Sequence, residues 1–577
     1  MVLSAVGRQS GILLLWTGVV VFLTWPLAAH LTTHLPGIAI GGPLDSLLVG
    51  WALAHQSHAI LTAPCSLPDG NIYWPSRRAL YYGEAGFGAV PYFMPPFLAT
   101  GNPTLALNLV LLVGFVLTAW SMHRVVARLT GSERAGFVAG AAFVTTPWVI
   151  WAWLPAAPSY AILQYLPLVM VIAAQPSSRV GTGACLLLLV ALQGLTSVYV
   201  AASLVAPLVV LGLSRLARQP TRRAGVALLA SVAGATVVLA AAYSGYALVH
   251  LDNPELGTQT LWLAKPTNPQ PAVLGTAARL GPLAVPPAAL IVIGLGLVGA
   301  MASRERGWSS LRALPWRIGW LWTFVGLVIA IRPRADWHES LIAAPHSLLA
   351  RFTPLYEVIR IPERLGVAAL MGVAVLTGVA FAECERVIAG RAGVARSPRA
   401  AGAATLGLLL VTVGAMYCTC QRDLHSSWLT LRPLPGPYPL ARTVPPPAPA
   451  LLRVLEQPGG PLLELPVGTN PWPQARAMYR SIYHHRPLLN GYSGYWPAGF
   501  PERMALARRL PDPEALDALR RATDLELVLV HTAEYGNTPA RAAWTALAAG
   551  DGDGRLALVA RDGDDLLFRV VPPRPDT

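Results

Sequence analysis

Long apolar stretches separated by polar ones dominate the chain up to residue 420. Between residues 11 and 420, apolar runs of about twenty residues recur, the length a helix needs to cross a hydrocarbon core about 30 Å thick. The pattern predicts eleven membrane-spanning helices, at residues 11–30, 103–122, 136–154, 158–176, 181–195, 197–214, 224–248, 284–302, 317–332, 364–383 and 401–420.

The arginines between the apolar runs predict the orientation of this bundle. With a cytoplasmic N-terminus, every short inner connection holds at least one arginine, as the positive-inside rule requires. The alternation holds only if residues 181–195 and 197–214 are two helices joined by a short turn. An odd number of spans puts the C-terminus outside. The first run lacks a small-x-small cleavage pattern and is expected to stay as an anchor.

Three predicted outer loops, residues 31–102, 249–283 and 333–363, are long enough to build a site. In the first, residues 44–62 are amphipathic, which predicts a helix lying in the membrane interface, with an apolar side formed by Leu44, Leu47, Leu48 and Trp51. Residues 85–99 are apolar but interrupted by three prolines. They favour a second interfacial or re-entrant segment.

The chain after residue 420 has the pattern of a small α/β domain. A proline-rich linker at residues 421–449 precedes it. Buried strands are expected at 462–465 and 525–531, helices at 514–522 and 540–549, and a hairpin from 556–560 and 565–571. The predicted fold is therefore an α-helical polytopic membrane protein of residues 1–420, followed by an extracytoplasmic α/β domain of residues 450–577 with a small mixed sheet.

Charge and cysteine usage narrow the possible functions. Only 12% of residues are charged, against about 25% in soluble domains. The net charge of +14 does not indicate nucleic-acid binding, because the arginines lie in short clusters between spans rather than in one patch. The five cysteines show no zinc or redox spacing.

This layout resembles the GT-C superfamily of polytopic membrane glycosyltransferases, in particular its bacterial YfhO-like branch. The resemblance covers nearly the whole chain and lies in short, loose motifs. They are Gly41-Gly42-Pro43-Leu44-Asp45, Leu67-Pro68-Asp69-Gly70 with Tyr73-Trp74-Pro75, Tyr356-Glu357-Val358-Ile359-Arg360-Ile361-Pro362-Glu363-Arg364, Leu463-Glu464-Leu465-Pro466 and Asn490-Gly491-Tyr492-Ser493-Gly494.

The resemblance implies transfer of a sugar from a polyprenyl-phosphate donor to a glycan, lipid or protein acceptor on the outer face of a bacterial inner (plasma) membrane. Many members of the superfamily carry two neighbouring acids in the first outer loop, whereas Asp45 stands alone here, with Asp69 and Glu84 as the next acids. A two-carboxylate metal site is therefore not supported and no cofactor is expected, with a divalent metal ion as the alternative that no paired-acid motif supports. A single-base mechanism fits better.

Two acids are candidate catalytic residues. Asp45 follows the first span at the membrane surface, where a carboxylate would take the proton of an acceptor hydroxyl. The same residues also suit a helix N-cap, and a capping aspartate can be catalytic as well. Glu84 enters an apolar segment. It is either a second functional carboxylate or the partner of Arg77 or Arg78.

Candidate substrate-binding residues flank the later spans. Arg360 and Arg364 at the outer mouth of a span would hold the phosphate bidentately. Alternatively they pair with Glu357 or Glu363, or anchor the helix in the interface. Arg332 is a weaker phosphate candidate, because it also marks the end of a span. Tyr73, within the resemblance motif of the first loop, completes the set.

A non-enzymatic alternative remains open: a lipid or polysaccharide transporter, or an assembly protein for envelope biogenesis. A transporter would place polar and charged residues in the middle of its spans. Most span centres here are apolar and the acids lie in the outer loops, which favours chemistry at the membrane surface.

Overall fold

The computed structural model describes residues 2–37, 43–152, 155, 157–254, 256, 285–302, 311–331, 349, 359, 362–390, 397–420, 437–468, 470–551 and 554–571. Its helices up to residue 420 are α1 (Val2–Leu23), α2 (Leu44–Thr62), α3 (Val90–Thr100), α4 (Pro103–Thr130), α5 (Glu133–Val144), α6 (Tyr165–Ala174), α7 (Val180–Gly194), α8 (Val198–Leu216), α9 (Arg222–Asp252), α10 (Pro287–Ala302), α11 (Leu314–Ile329), α12 (Val367–Gly390) and α13 (Pro398–Cys420).

Helix α12 lies at the centre of the bundle and packs against α11, α10 and α5. Small residues permit these close crossings. A Cβ at Gly372 would collide with Thr323 of α11, and one at Gly378 would collide with the backbone of Ala135 in α5. Lipid tails are as apolar as helix surfaces, so the hydrophobic effect does not hold membrane helices together. Close backbone approach and dense packing hold these helices instead.

A helix overlaps each of the eleven predicted ranges, although the number of crossings stays a prediction. Within the described part of the chain, five helices are long and apolar enough to span a membrane: Pro103–Thr130, Val198–Leu216, Gln219–Asp252, Pro362–Gly390 and Arg399–Cys418. The predicted run 136–154 is interrupted: α5 ends at Val144 and a π-helical turn follows at Trp148–Ala152. Pro147 explains the break, because it has no N–H to donate.

Helix α2 has the predicted boundaries but a different environment from the one expected. Twelve of its nineteen residues are buried, so it does not lie with one face open to its surroundings. It packs between α3 and α4 on one side and a helix of the C-terminal region, α15 (Trp472–His484), on the other. Gly50 makes the second contact possible, since a Cβ there would collide with the Tyr479 ring.

The region after residue 437 contains α14 (Pro449–Leu455), α15, α16 (Phe500–Arg509), α17 (Pro513–Thr523) and α18 (Pro539–Ala549). Strand β1 (His34–Pro36) of the first loop pairs antiparallel with β2 (Leu440–Arg442). The other strands, β3 (Leu462–Leu465), β4 (Leu527–His531), β5 (Leu556–Asp562) and β6 (Asp565–Val570), form a mixed sheet of order β3-β4-β6-β5. Only β3 and β4 are parallel.

The loop of residues 31–102 and the C-terminal region share one hydrophobic core, which includes Trp51, Tyr73, Leu462 and Tyr479. Backbone bonds join them as well: the Trp74 N–H donates to the Leu488 carbonyl at 2.9 Å, and the Leu488 N–H donates to the Asn71 carbonyl at 2.7 Å. The tail is therefore docked on the loop through a packed interface in addition to its linker. Whether it is a separate domain beginning at residue 450 stays a prediction.

Candidate functional site

Asp45 lies in the first turn of α2, where the N-cap residue is Pro43 rather than Asp45 itself. Its side chain is half-buried. The phenol of Tyr492, from the loop after α15, donates a hydrogen bond of 2.9 Å to Asp45 Oδ1. A residue of the tail thus orients the carboxylate of the first loop.

Glu84 is tied to the start of α8. The Ser197 hydroxyl donates to Glu84 Oε1 at 2.5 Å, and the Val198 N–H donates to the same oxygen at 3.0 Å. A carboxylate at a helix N-terminus satisfies free N–H groups and complements the positive end of the helix dipole. The expected alternative partner, Arg78, instead forms an ion pair with Asp252.

Arg364 lies on the other side of the same helix start. It belongs to the 3₁₀ turn Pro362–Gly366 that precedes α12, and only 8% of its surface is exposed. Its guanidinium stands 4.8 Å from the centre of the Tyr199 ring, in the first turn of α8. Glu84 and Arg364 therefore each contact the first residues of α8. Arg360 and Arg332 lie outside the described residues.

Tyr73 is 1% exposed and connects the first loop to the segment after Asn490. Its hydroxyl lies 3.0 Å from Ser493 Oγ and 3.3 Å from the Tyr495 carbonyl. Burial raises the pKa of this phenol, which keeps it protonated as a donor. A Cβ at Gly491 would collide with the Tyr73 ring. In this position Tyr73 orients the tail segment that reaches Asp45.

The four described candidates form two pairs around a common junction. Asp45 and Tyr73 are both held by the Tyr492–Tyr495 segment, and Glu84 and Arg364 by the start of α8. Gly83, next to Glu84, joins the pairs: a Cβ there would be 3.3 Å from Leu48 of α2 and 3.4 Å from Ser493. The Tyr495 N–H also donates to the Tyr82 carbonyl at 3.0 Å.

The tail contains a buried ionic network that the sequence motifs did not predict. Arg480 Nη2 lies 2.6 Å and Nε 2.8 Å from Glu464 Oε2. His531 Nε2 lies 3.2 Å from the same oxygen, while its Nδ1 is 2.8 Å from Asp565 Oδ1. The sequence does contain one indication of it: Glu464 is a single acid in an apolar strand, between Leu463 and Leu465. A carboxylate buried in this way requires a partner of opposite charge.

Four histidines lie where α2 meets α15, and all four have a lowered pKa. The His58 and His485 rings stack with their centroids 3.7 Å apart, and His55 and His484 lie nearby. Burial is the main cause of each shift and lowers the pKa of His484 and of His485 to about 4. Neutral imidazoles thus fill the interface at pH 7.

We expect acid to loosen the tail. Because the pKa of His485 is about 4 when folded and 6.5 ordinarily, the unfolded interface binds more protons between these values, and stability falls as the pH falls from 6.5 to 4. His485→Asn should flatten this dependence, since asparagine tolerates the left-handed backbone at φ 52°. Limited proteolysis of the tail against pH measures it. An identical pH profile in wild type and variant would contradict the expectation.

Among the described residues, no group of three or more His, Cys, Asp and Glu side chains is arranged to hold a metal ion. Metal dependence stays a matter for experiment.

Comparison with known proteins gives a fold but no sequence family. No protein-family model matches the chain. No curated protein matches its sequence either.

Solved structures of membrane glycosyltransferases resemble the chain. The arabinofuranosyltransferase AftD from Mycobacteria has a TM-score of 0.51 and 15% identity, covering 96% of this chain and 41% of that one. ArnT from Cupriavidus metallidurans, solved bound to undecaprenyl phosphate, has a TM-score of 0.45 and 15% identity. The match covers 98% of this chain and 99% of that one. AglB from Archaeoglobus fulgidus, in complex with an inhibitory peptide and a dolichol-phosphate, has a TM-score of 0.45 and 11% identity, covering 91% and 69%.

These neighbours are GT-C glycosyltransferases. The likeness to AftD confirms the GT-C resemblance at the level of the fold, whereas the YfhO-like branch stays a prediction. Together with its apolar helices, this fold makes the chain a multi-pass membrane protein.

Proposed function

We propose that this protein is a membrane glycosyltransferase that moves a sugar from a polyprenyl-phosphate donor to an extracytoplasmic acceptor, with Asp45 as general base. The observation that carries the proposal is the Asp45 carboxylate, half-buried at the start of α2 and oriented by Tyr492 at 2.9 Å. It occurs in a chain with the fold of a GT-C glycosyltransferase.

The proposed step forms one bond and breaks another. The acceptor hydroxyl attacks the anomeric carbon while its proton passes to the Asp45 carboxylate. The bond from the anomeric carbon to the phosphate oxygen breaks, and polyprenyl phosphate leaves with the electron pair. The Tyr492 hydrogen bond occupies Oδ1, which leaves Oδ2 to receive the proton.

Cationic residues are proposed to hold the departing phosphate. Arg364 stands at the start of α12, beside the Glu84-capped terminus of α8. Guanidinium groups bind phosphate oxygens bidentately, and the N-terminus of α12, which follows Arg364, also favours an anion. Arg360 and Arg332 remain proposed partners in this task. Glu84 would position the α8 terminus, with a direct catalytic role as its second possibility.

The compartment follows from donor chemistry. Nucleotide sugars are made inside the cell, so an enzyme acting outside needs a sugar carried by a lipid. We therefore propose a bacterial inner-membrane protein with its N-terminus in the cytoplasm and its tail outside.

Cys65 offers a test of this orientation. It is exposed in the first loop, after α2. In a variant with the other four cysteines replaced by serine, we expect a membrane-impermeant maleimide to label Cys65 in intact spheroplasts. The matched control is Arg218→Cys in that variant with Cys65 also replaced, since residue 218 is exposed in a predicted inner loop. Labelling of residue 218 but not of Cys65 would reverse the proposed topology.

Sugar transfer in liposomes tests the activity itself. The purified chain would be reconstituted and supplied with a panel of radiolabelled polyprenyl-phosphate sugars and a bacterial envelope extract as acceptor. Transfer from a lipid-linked donor, without transfer from nucleotide sugars, supports the proposal. Absence of transfer from every donor would favour the transporter or envelope-assembly alternative.

A further inference from the structure

A cleft of about 400 Å³ opens between the tail and the start of α2. Pro43 and Leu47 of α2 form one wall, and residues 442–447 form a second. Arg476 and Arg480 of α15, with His531 of β4, form the floor. The proposed transfer step uses none of these tail side chains.

The residues that line the cleft include more arginines than carboxylates. The lining contains three arginines, Arg442, Arg476 and Arg480, but two carboxylates, Glu534 and Asp565. Arg476 pairs with Glu534, and Arg480 pairs with Glu464 behind the wall, 2.6 Å away. Arg442 is exposed on β2, and within the described part of the chain it has no carboxylate partner. A cation is thus available to a ligand.

The floor beneath Arg442 is fixed rather than adaptable. Arg480 and His531 are each 8% exposed, and Glu464, which contacts both, is 2% exposed. A buried, hydrogen-bonded network of this kind holds its side chains in one geometry, so the floor keeps a fixed shape while Arg442 supplies the available charge.

The cleft also has an apolar, aromatic side. Trp472, at the first position of α15, is 37% exposed and lines it. Three consecutive prolines, Pro445, Pro446 and Pro447, also line the cleft and present rigid, apolar CH groups to it. An aromatic face with a few fixed polar groups is typical of a small-ligand site, and aromatic faces suit the CH faces of sugar rings.

We propose that this cleft binds a saccharide carrying a carboxylate or a phosphate, with the anion at Arg442 and a sugar ring against Trp472. The assignment deepens the proposed function and rests on it, because the bound saccharide would be a part of the acceptor that lies away from its reacting hydroxyl. Pro43 and Leu47 lie one turn apart with Asp45 between them. Asp45 is two residues from each of them, projects from the opposite face of α2 and does not line the cleft. The cleft therefore binds the saccharide beside the start of α2 and not against the candidate base.

Binding to the detergent-solubilised full chain tests the proposal without any transfer step. Isothermal titration would use tetragalacturonate as the anionic probe, maltotetraose as the neutral match, and inorganic phosphate as competitor. We expect tetragalacturonate to bind, maltotetraose to bind more weakly, and affinity for the anion to fall with salt. Displacement by phosphate would support an anion site that accepts phosphate as well as carboxylate groups, and no displacement would support a site selective for carboxylated saccharides.

Arg442→Gln should weaken tetragalacturonate binding about tenfold, since one charge-assisted contact is lost. Arg453→Gln is the matched control, because Arg453 is exposed on α14 outside the cleft. Equal binding of the charged and neutral probes, no binding of either, or the same loss in both variants would overturn the cleft assignment. Binding without transfer activity would reject the glycosyltransferase proposal but support the saccharide site. Transfer without binding would support the glycosyltransferase proposal but reject the saccharide site.

Discussion

Replacing Asp45 with asparagine is expected to lower sugar transfer by about 10²- to 10⁴-fold, the usual contribution of a general base. Asparagine has the same shape and keeps a carbonyl oxygen to accept the 2.9 Å hydrogen bond from Tyr492. The change therefore removes the proton acceptor while it preserves the contact between loop and tail. Initial rates in liposomes with a fixed lipid-linked donor measure the effect.

Two further variants separate chemistry from folding. Asp551→Asn changes an exposed acid at the end of α18 and should leave the rate unchanged. Tyr492→Phe keeps the base but removes its hydrogen bond, so we expect an intermediate loss of about tenfold or more. If Asp45→Asn transferred sugar as fast as the wild type, Asp45 would not be the base and Glu84 would become the first candidate.

Replacing Glu464 with glutamine is expected to destabilise the tail by about 3–5 kcal/mol, because Arg480 would remain buried without its counter-charge. The Glu464 side chain is 1% exposed and that of Arg480 10%. Thermal unfolding of the detergent-solubilised chain, followed by proteolysis of the tail, measures the loss. The double variant Glu464→Leu with Arg480→Met should recover most of it, since it removes both charges together.

The pH dependence of this network has a definite sign. Burial raises the pKa of Glu464, but Arg480 and His531 outweigh it and hold the pKa at about 2, against an ordinary 4.5. Its contribution to stability is therefore complete above pH 4.5 and is lost as the pH falls toward 2. Glu464→Gln should remove this acid transition. A variant as stable as the wild type at pH 7 would contradict the role assigned to Glu464.

The pKa of His531, in the same network, is shifted upward, so its contribution to stability depends on pH in the opposite direction. Burial and Arg480 lower its pKa, but its hydrogen bonds with Asp565 and Glu464 outweigh them and raise it above 6.5. Its proton stabilises the tail below pH 6.5, and this part is lost as the pH rises through the raised pKa.

The sequence by itself determined the positions of several elements, but not the interruption of the run 136–154 or the strands at residues 34–36 and 440–442. Helix α2 begins and ends at the predicted residues 44 and 62, and strand β3 occupies the predicted 462–465. The hairpin of β5 and β6 turns at Asp562-Gly563, between the two predicted strands, and Gly563 has φ 56°. These features depend on periodicity and on turn residues, which are properties of neighbouring positions in the chain.

Only the tertiary structure decided which side chains meet. Tyr492 reaches Asp45 across 447 residues of sequence, and Glu84 caps a helix that begins 114 residues later. The burial of α2 likewise depends on the docked tail. Hydrophobic periodicity identifies the face that is buried but not the surface that covers it. Contacts between distant segments arise from the packing of whole elements, so the motifs indicated the site's parts and the fold alone brought them together.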